Sequence, residues 1–368
     1  MSTHQSSPAP ADTDAQATAA SEHDQRGSYV KPGQAFERDM TYIPTRITRD
    51  GAEGYPVEPG RYRLIVSRAC PWANRALIVR RLLGLENVIS LGIAGPTHDK
   101  RSWTFDLDEG GKDPVLGIER LQEAYFRRIP DYPRGITVPA IVDTRDGAVV
   151  TNDFNQITRD FFGEWGAFHR EGAPQLWPTD PKESAEMEDL MRRILHSVNN
   201  GVYKVGFAGS QEAYEAAYEE LWATLDALDE RLGSRRYLMG EHITEADVRL
   251  FVTLVRHDVV YYSHFKTSRT LIQAMPNLSG YLRELFQLPG FGDTVDFTHI
   301  KEHYYVVHTD INPTQIVPAG PSTAWLLEPH GRDHLPGTPW GEGGTAPLPP
   351  LISEVVDPGH TPLTVTGR

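Results

Sequence analysis

Hydrophobic and polar residues follow two different patterns along this chain, and the change falls near residue 178. Before that point, short apolar runs typical of buried strands occur at 61–67, 87–93, 137–143 and 147–151. Helical patterns follow the first and the last of these runs, at 71–83 and 153–165. This order predicts a mixed four-stranded sheet covered by helices, which is the architecture of a thioredoxin-like domain.

Beyond residue 178 the pattern is helical. Leucines recur at steps of four and three, as on the buried face of a helix: Leu221, Leu225, Leu228 and Leu232. A further helix is predicted to begin after Thr244, because Asp247 three residues later can complete a capping box. The proline-rich stretch 174–181 precedes this region, so we predict a helical domain over residues 179–312.

The two ends of the chain differ from its centre in composition. Residues 1–28 are rich in Ser, Thr, Ala and Gln and poor in large apolar residues, which predicts a disordered tail. Residues 313–368 are rich in Pro and Gly, which predicts an extended arm. Its apolar residues, Trp325, Leu326, Leu327 and Trp340, can dock on the folded part. The thioredoxin-like domain with its N-terminal extension then occupies residues 29–178.

Charge narrows the possible partners. The 368 residues carry 50 acidic and 36 basic side chains, a formal net charge of −14, which repels phosphate backbones and anionic membranes. The sequence contains no apolar run of 18 residues, and its first 25 residues lack the order of a secretory signal. We therefore expect a cytoplasmic protein that binds neither nucleic acid nor membranes.

Cys70 is the one cysteine of the chain, so an internal disulfide is excluded. It lies between a predicted strand and a predicted helix whose first residue is Pro71. Free N–H groups and the helix dipole at such a position favour the thiolate, and Arg68 and Arg75 are expected to add to this effect. Ala73 stands where a dithiol enzyme has its second cysteine, so a mixed disulfide on Cys70 needs an external thiol to resolve it. The alternative is a buried structural cysteine.

Eight sequence blocks together resemble the glutathionyl-hydroquinone reductases, the Xi class of glutathione transferases. In chain order between about residues 36 and 320 they are SRACPWANRALIVRRLLGL, SWTFD, TVPAIVD, NNGVYKVGFA, HITEADVRLF, HFK, HIKEHYY and INPTQIVP. The resemblance implies a homodimer that uses glutathione as co-substrate and reduces glutathionyl-hydroquinones to hydroquinones, releasing glutathione disulfide. It also implies that Cys70 attacks the sulfur of the glutathionyl adduct.

Further site residues follow from the same resemblance. Tyr203 and Tyr304 match the tyrosines over the quinone ring, and Tyr261 is a third candidate; the alternative is that they only pack between helices. Trp103 matches the tryptophan beside the thiol. Val138 is expected to pair with the thiol through its backbone, with Pro139 in the cis form usual for this fold.

The glutathione end of the site departs from the family pattern. Asn152, Asp153 and Phe154 stand in the family's Ser-Asn-Glu-Ser block, and Asp153 can still accept from an ammonium group, whereas Phe154 lacks the serine hydroxyl. Arg127 is a candidate partner for a carboxylate, or part of a solvated face. The chain has 29 arginines and seven lysines, which suggests a high-GC genome, so another thiol such as mycothiol is an alternative co-substrate.

Other functions remain open from the sequence. The same monothiol chemistry serves reductive dehalogenation, dehydroascorbate reduction and deglutathionylation, and a non-catalytic binding protein can keep the same fold. His299 and His303 are four residues apart, but no third ligand is evident, so we expect no metal site.

Overall fold

A four-stranded sheet forms the centre of the first domain in the computed structural model, which describes residues 29–99 and 101–355. Its strands are β1 (Tyr62–Ser67), β2 (Ile89–Ala94), β3 (Ala140–Asp143) and β4 (Val149–Thr151). They lie in the order β2–β1–β3–β4; β1 and β2 are parallel, and the other two pairs are antiparallel. This mixed sheet confirms the thioredoxin-like prediction. Strand β3 begins later than predicted, since Pro139 has no N–H to donate to a ladder.

Three helices accompany the sheet: α1 (Pro71–Leu83), α2 (Leu121–Arg128) and α3 (Phe154–Gly163). Helix α1 begins with Pro71, has Arg80 and Arg81 in its last turn and ends at Gly84, whose φ of 74° is the left-handed conformation that glycine adopts without strain. Every residue of α1 is buried. This helix therefore lies inside the molecule, packed against α3 on one side.

The second domain is helical, as predicted. Its helices are α4 (Pro181–Arg193), α5 (Gly201–Gly206), α6 (Gln211–Leu232), α7 (Glu245–Arg256), α8 (Leu278–Gln287) and α9 (Phe297–Val307). Short π-helical segments, Ile194–Asn199 and His257–Tyr261, continue α4 and α7. The four leucines of α6 are all buried, and Asp247 accepts the Thr244 N–H at 2.8 Å in the predicted capping box. Helix α7 packs against α1, so the domains share one core.

The C-terminal segment runs across both domains as an extended arm with two short 3₁₀ turns, Ala324–Leu327 and Ile352–Glu354. Both carboxylate oxygens of Glu354 accept from the buried Arg80 guanidinium, at 2.7 and 2.8 Å. Arg68 donates to the Glu354 carbonyl at 2.5 Å. The arm is thus anchored to the last turn of α1 by a buried ion pair. The predicted tail 1–28 and residues 356–368 lie outside the described residues.

Helices suited to crossing a bilayer, both long and apolar enough, are absent from residues 29–99 and 101–355.

Candidate active site

Cys70 occupies the N-cap of α1, directly after the turn that leaves β1. The residue is half-buried, and its thiol donates to the Val138 carbonyl with Sγ and oxygen 3.4 Å apart. The Val138–Pro139 peptide is cis. The two elements that the sequence placed 68 residues apart, the thiol and the backbone before Pro139, therefore meet in space.

Burial raises the pKa of the Cys70 thiol and is the largest influence on it. The N–H groups of Ala73 and Trp72 and the guanidinium groups of Arg256 and Arg38 act in the opposite direction. The predicted lowering of this pKa is therefore wrong, because desolvation of a thiolate outweighs the helix N-terminus here. A hydrogen bond from the thiol to a carbonyl likewise favours the protonated form.

Arg256, the last residue of α7, holds the loop that presents Cys70. Its side chain is fully buried, with Nε donating to the Ala69 carbonyl and Nη2 to the Arg68 carbonyl, both at 3.0 Å. Its Nη1 donates to Asn74 Oδ1 at 3.1 Å. The helical domain thus holds two backbone carbonyls that precede the thiol and the Asn74 side chain that follows it.

A cleft with a volume of about 160 Å³ opens beside Cys70 between the domains. Rings dominate its walls: Tyr29, Phe36, Trp72, Trp103, Tyr203, Phe207, Tyr304, His98, His303 and His308. Such walls can hold a planar ring next to the sulfur.

The three predicted tyrosines form one hydrogen-bonded chain. The hydroxyl oxygen of Tyr304 lies 2.5 Å from that of Tyr203 and 2.9 Å from that of Tyr261. Tyr203 and Tyr304 line the cleft, whereas Tyr261 lies fully buried behind them. Burial raises the pKa of all three phenols, so they stay protonated at neutral pH and can donate a hydrogen bond or a proton.

Trp103 forms another wall, with its indole stacked on the His303 imidazole at a centroid distance of 5.1 Å. Nδ1 of His303 lies 2.8 Å from the Pro96 carbonyl. Since a carbonyl only accepts, Nδ1 carries the proton and Nε2 is an acceptor. Burial lowers the pKa of His303 to about 3, so the imidazole is neutral in the physiological range.

Asn152 and Asp153 do not line this cleft. The Asn152 amide is buried, with Oδ1 accepting the Ile43 N–H at 2.7 Å and Nδ2 donating to Thr137 Oγ1 at 2.8 Å. The Asp153 carboxylate caps α3 by accepting two backbone N–H groups of its first turn. The Asn152 side chain therefore links Ile43 to Thr137, the neighbour of Val138, and the Asp153 side chain stabilises the first turn of α3.

Arg127 is exposed, and its guanidinium lies against Gly147 in the turn between β3 and β4, away from the lining of the cleft. Phe154 is 3% exposed, with its ring centroid 4.6 Å from that of Trp72 and 5.3 Å from that of Tyr42. The residue that departs from the family pattern thus belongs to the core under the cleft. The cleft itself brings together Cys70, Trp103, Val138, Tyr203 and Tyr304.

Sequence reasoning missed the segment before β1. Tyr29, Phe36 and Arg38 lie on the wall of the cleft, although they precede Cys70 by more than thirty residues. The sequence signal for this part of the site was Phe36 together with Arg38, in a stretch without strand or helix periodicity. Local patterns do not reveal which distant surface such a segment covers.

No group of three or more His, Cys, Asp or Glu side chains suited to a metal ion occurs in the described part of the chain. The His303 imidazole instead bonds to the Pro96 carbonyl and stacks on the Trp103 indole.

The fold and this cleft define a two-domain glutathione transferase. Two family models match accordingly: the N-terminal domain of glutathione S-transferases over residues 69–161 and the C-terminal domain over residues 211–284.

Similarity to individual proteins identifies the family within this class. The glutathionyl-hydroquinone reductase YqjG of Escherichia coli is 40% identical over 321 residues, which cover 84% of this chain and 96% of YqjG. The crystal structure of a glutathione transferase from Gordonia bronchialis is 63% identical with a TM-score of 0.85, covering 87% of this chain and 99% of that one. The glutathione-bound structure of YqjG is 41% identical with a TM-score of 0.74, covering 79% and 96%. The chain belongs to the glutathionyl-hydroquinone reductases, the Xi class of glutathione transferases, and is an oxidoreductase of that fold.

Proposed function

We propose that this chain reduces glutathionyl-hydroquinones to hydroquinones through a mixed disulfide on Cys70 that a second glutathione resolves. The observation that carries the proposal is the meeting of three groups in one cleft: the Cys70 sulfur, the Tyr203–Tyr304 hydroxyl pair and the Trp103 indole. A nucleophile, proton donors and a flat wall are what this reaction needs.

Binding of the glutathionyl group begins at Val138. Its carbonyl accepts from the Cys70 thiol, and a peptide N–H of glutathione can replace the thiol as the donor to this carbonyl, as an added strand does. Cys70 then loses a partner that favours its protonated form. The N–H groups of Trp72 and Ala73 and the nearby Arg256 remain to stabilise the thiolate.

The aromatic ring changes before its carbon–sulfur bond breaks. A proton moves to the ring carbon that bears sulfur, and a ring hydroxyl loses its proton to give the keto tautomer; the protonated phenols of Tyr203 and Tyr304 suit this proton transfer. The Cys70 thiolate next attacks the glutathionyl sulfur. A sulfur–sulfur bond forms, the carbon–sulfur bond breaks, and its electron pair moves to the ring oxygen, which takes a proton to complete the hydroquinone.

The second half of the cycle regenerates the thiol. The thiolate of another glutathione attacks the glutathione sulfur of the mixed disulfide, so that glutathione disulfide forms and Cys70 leaves as thiolate. Two glutathione sulfurs are oxidised and one ring carbon is reduced. Glutathione as this thiol is supported by the glutathione-bound structure of the relative YqjG.

Steady-state assays with a glutathionyl-hydroquinone and glutathione test the proposal. Hydroquinone and glutathione disulfide are expected in equal amounts, with no turnover in Cys70→Ser and strongly reduced turnover in Tyr304→Phe. The matched control is Tyr305→Phe, because that hydroxyl bonds to Ser263 and does not line the cleft. Unchanged turnover in Cys70→Ser would rule out the proposed nucleophile.

Mycothiol as the physiological thiol remains a second candidate, based on Phe154 in place of a serine. Turnover measured with each thiol in the second half-reaction distinguishes the two.

The other monothiol activities, dehalogenation, dehydroascorbate reduction and deglutathionylation, would be tested by the same assay with those substrates. A homodimer is also proposed from the family, and sedimentation measurements test it.

A further inference from the structure

The segment 29–38 forms a fixed cover over one side of the cleft. The N–H groups of Tyr29 and Val30 donate to Asp310 Oδ2 at 2.9 and 2.8 Å. Gly33 and Gln34 exchange backbone hydrogen bonds with Gly209, both 2.8 Å long. Gly209 permits this approach, since a Cβ there would lie 1.9 Å from the Lys31 carbonyl oxygen. The cover is therefore built into the helical domain.

Arg38 ends this cover and is held on several sides. Its guanidinium carbon lies 4.5 Å from the ring centroid of Tyr203 and 4.8 Å from that of Trp72. Its Nε donates to Asn200 Oδ1 at 2.7 Å. Its Nη2 is buried and has no hydrogen-bond partner among residues 29–99 and 101–355. The guanidinium is thus held in place, while neither N–H of its Nη2 group has an acceptor among the described residues.

The position of Arg38 matters because the described lining of the cleft is otherwise uncharged. Arg38 is the one Asp, Glu, Lys or Arg side chain among the described residues that line it. The positive charge acts on two groups of the proposed chemistry, since Arg38 lowers the pKa of both the Cys70 thiol and the Tyr203 phenol against the larger effect of burial. Both groups therefore lie within its electrostatic reach.

Negative charge develops on a ring oxygen when the carbon–sulfur bond of the keto tautomer breaks. A preorganised donor aimed at such an oxygen stabilises the transition state more than the substrate. We propose that Arg38 is a further catalytic residue, whose Nη2 group binds the anionic ring oxygen formed as the hydroquinone leaves. This inference rests on the proposed function and adds a substrate requirement: a ring oxygen placed to receive the electron pair of the broken bond.

The two half-reactions can be measured separately. In the first, enzyme in excess over a glutathionyl-hydroquinone releases hydroquinone in a single turnover. In the second, enzyme already carrying glutathione on Cys70 is reduced by added glutathione. We expect Arg38→Gln to slow the first half-reaction by about 100-fold, the loss typical for one oxyanion donor. The second half-reaction forms no ring anion, so it should change by less than about threefold.

Two further variants sharpen this test. Arg38→Lys keeps the charge but loses the planar fork, so its first half-reaction should lie between the wild type and Arg38→Gln. Lys31→Gln removes a positive charge from the same cover, from an exposed residue outside the cleft lining, and should leave both half-reactions unchanged.

Three results would overturn the assignment of Arg38. The first is an Arg38→Gln enzyme whose first half-reaction runs at the wild-type rate. The second is equal slowing of both half-reactions, which indicates a general effect on the thiol or the fold. The third is equal slowing by Lys31→Gln. Failure of the proposed function looks different, because the wild-type enzyme would then release no hydroquinone at all.

Discussion

Replacing Arg256 with methionine tests how the helical domain controls the reactive thiol. The substitution keeps an unbranched side chain of similar length, so the core stays filled while the charge and the donors are lost. Arg256 is fully buried, and its guanidinium spans the domain boundary to the carbonyls of Arg68 and Ala69. Both carbonyls would be left in the interior without these donors.

The expected cost follows from these contacts. A buried polar group left unpaired costs about 1–3 kcal/mol. Three backbone carbonyls and the Asn74 amide oxygen lose a donor, while the cost of burying a guanidinium is no longer incurred, which offsets part of this loss. We therefore expect the free energy of unfolding to fall by about 3 kcal/mol. The thiol should also become less reactive, because Arg256 lowers the pKa of Cys70 against the effect of burial.

Denaturant unfolding followed by tryptophan fluorescence measures the first effect, and the pH dependence of iodoacetamide alkylation measures the second. Arg192→Met is the matched control, since that exposed side chain forms an ion pair with the exposed Asp189, a contact worth about 0–1 kcal/mol. The reasoning is refuted if Arg256→Met loses no more stability than Arg192→Met and its alkylation profile is unchanged.

Three other predictions concern the arm, the buried histidines and the free thiol. Glu354→Gln breaks the buried pair that anchors the arm and should cost about 3–5 kcal/mol in denaturant unfolding; a loss below 1 kcal/mol contradicts this. Burial lowers the pKa of His264 to about 4 and that of His303 to about 3, so below about pH 6.5 the unfolded chain binds protons that the folded chain does not. Stability should therefore fall from pH 7 to pH 5 by roughly 1–2 kcal/mol per histidine, and replacing both with glutamine should flatten that slope. Since burial raises the pKa of Cys70, alkylation of the ligand-free chain at pH 7 should be slower than that of free cysteine, and a faster rate would contradict the burial argument.

Much of the fold follows from local sequence patterns. Apolar runs gave the four strands, and a proline after Cys70 together with Gly84 marks both ends of α1. Each of these signals depends on residues close together in sequence, so the local structure that it favours is also found in the folded chain. The path of the arm does not follow from such signals. Its docking depends on Glu354 finding Arg80, 274 residues away, and composition predicts only an extended segment there.

The candidate site was partly predictable for the same reason. Cys70 stood out by its place before a helix, and the tyrosines by resemblance, but the direction of the thiol pKa depends on burial that no local pattern encodes. Arg256 and Arg38, from other parts of the chain, lower the pKa of the thiol. Arg68 lies only two residues before Cys70 but donates to the arm instead. Tertiary structure decides which of several arginines meets the site.

Intact-mass analysis of the protein after mixing with one equivalent of a glutathionyl-hydroquinone, with no other thiol present, tests the role of Cys70 most directly. The proposed cycle predicts one glutathione attached to Cys70 through a disulfide for each hydroquinone released, and loss of the adduct when glutathione is added. Release of hydroquinone from a protein that carries no adduct, or an adduct on the Cys70→Ser variant, would contradict it.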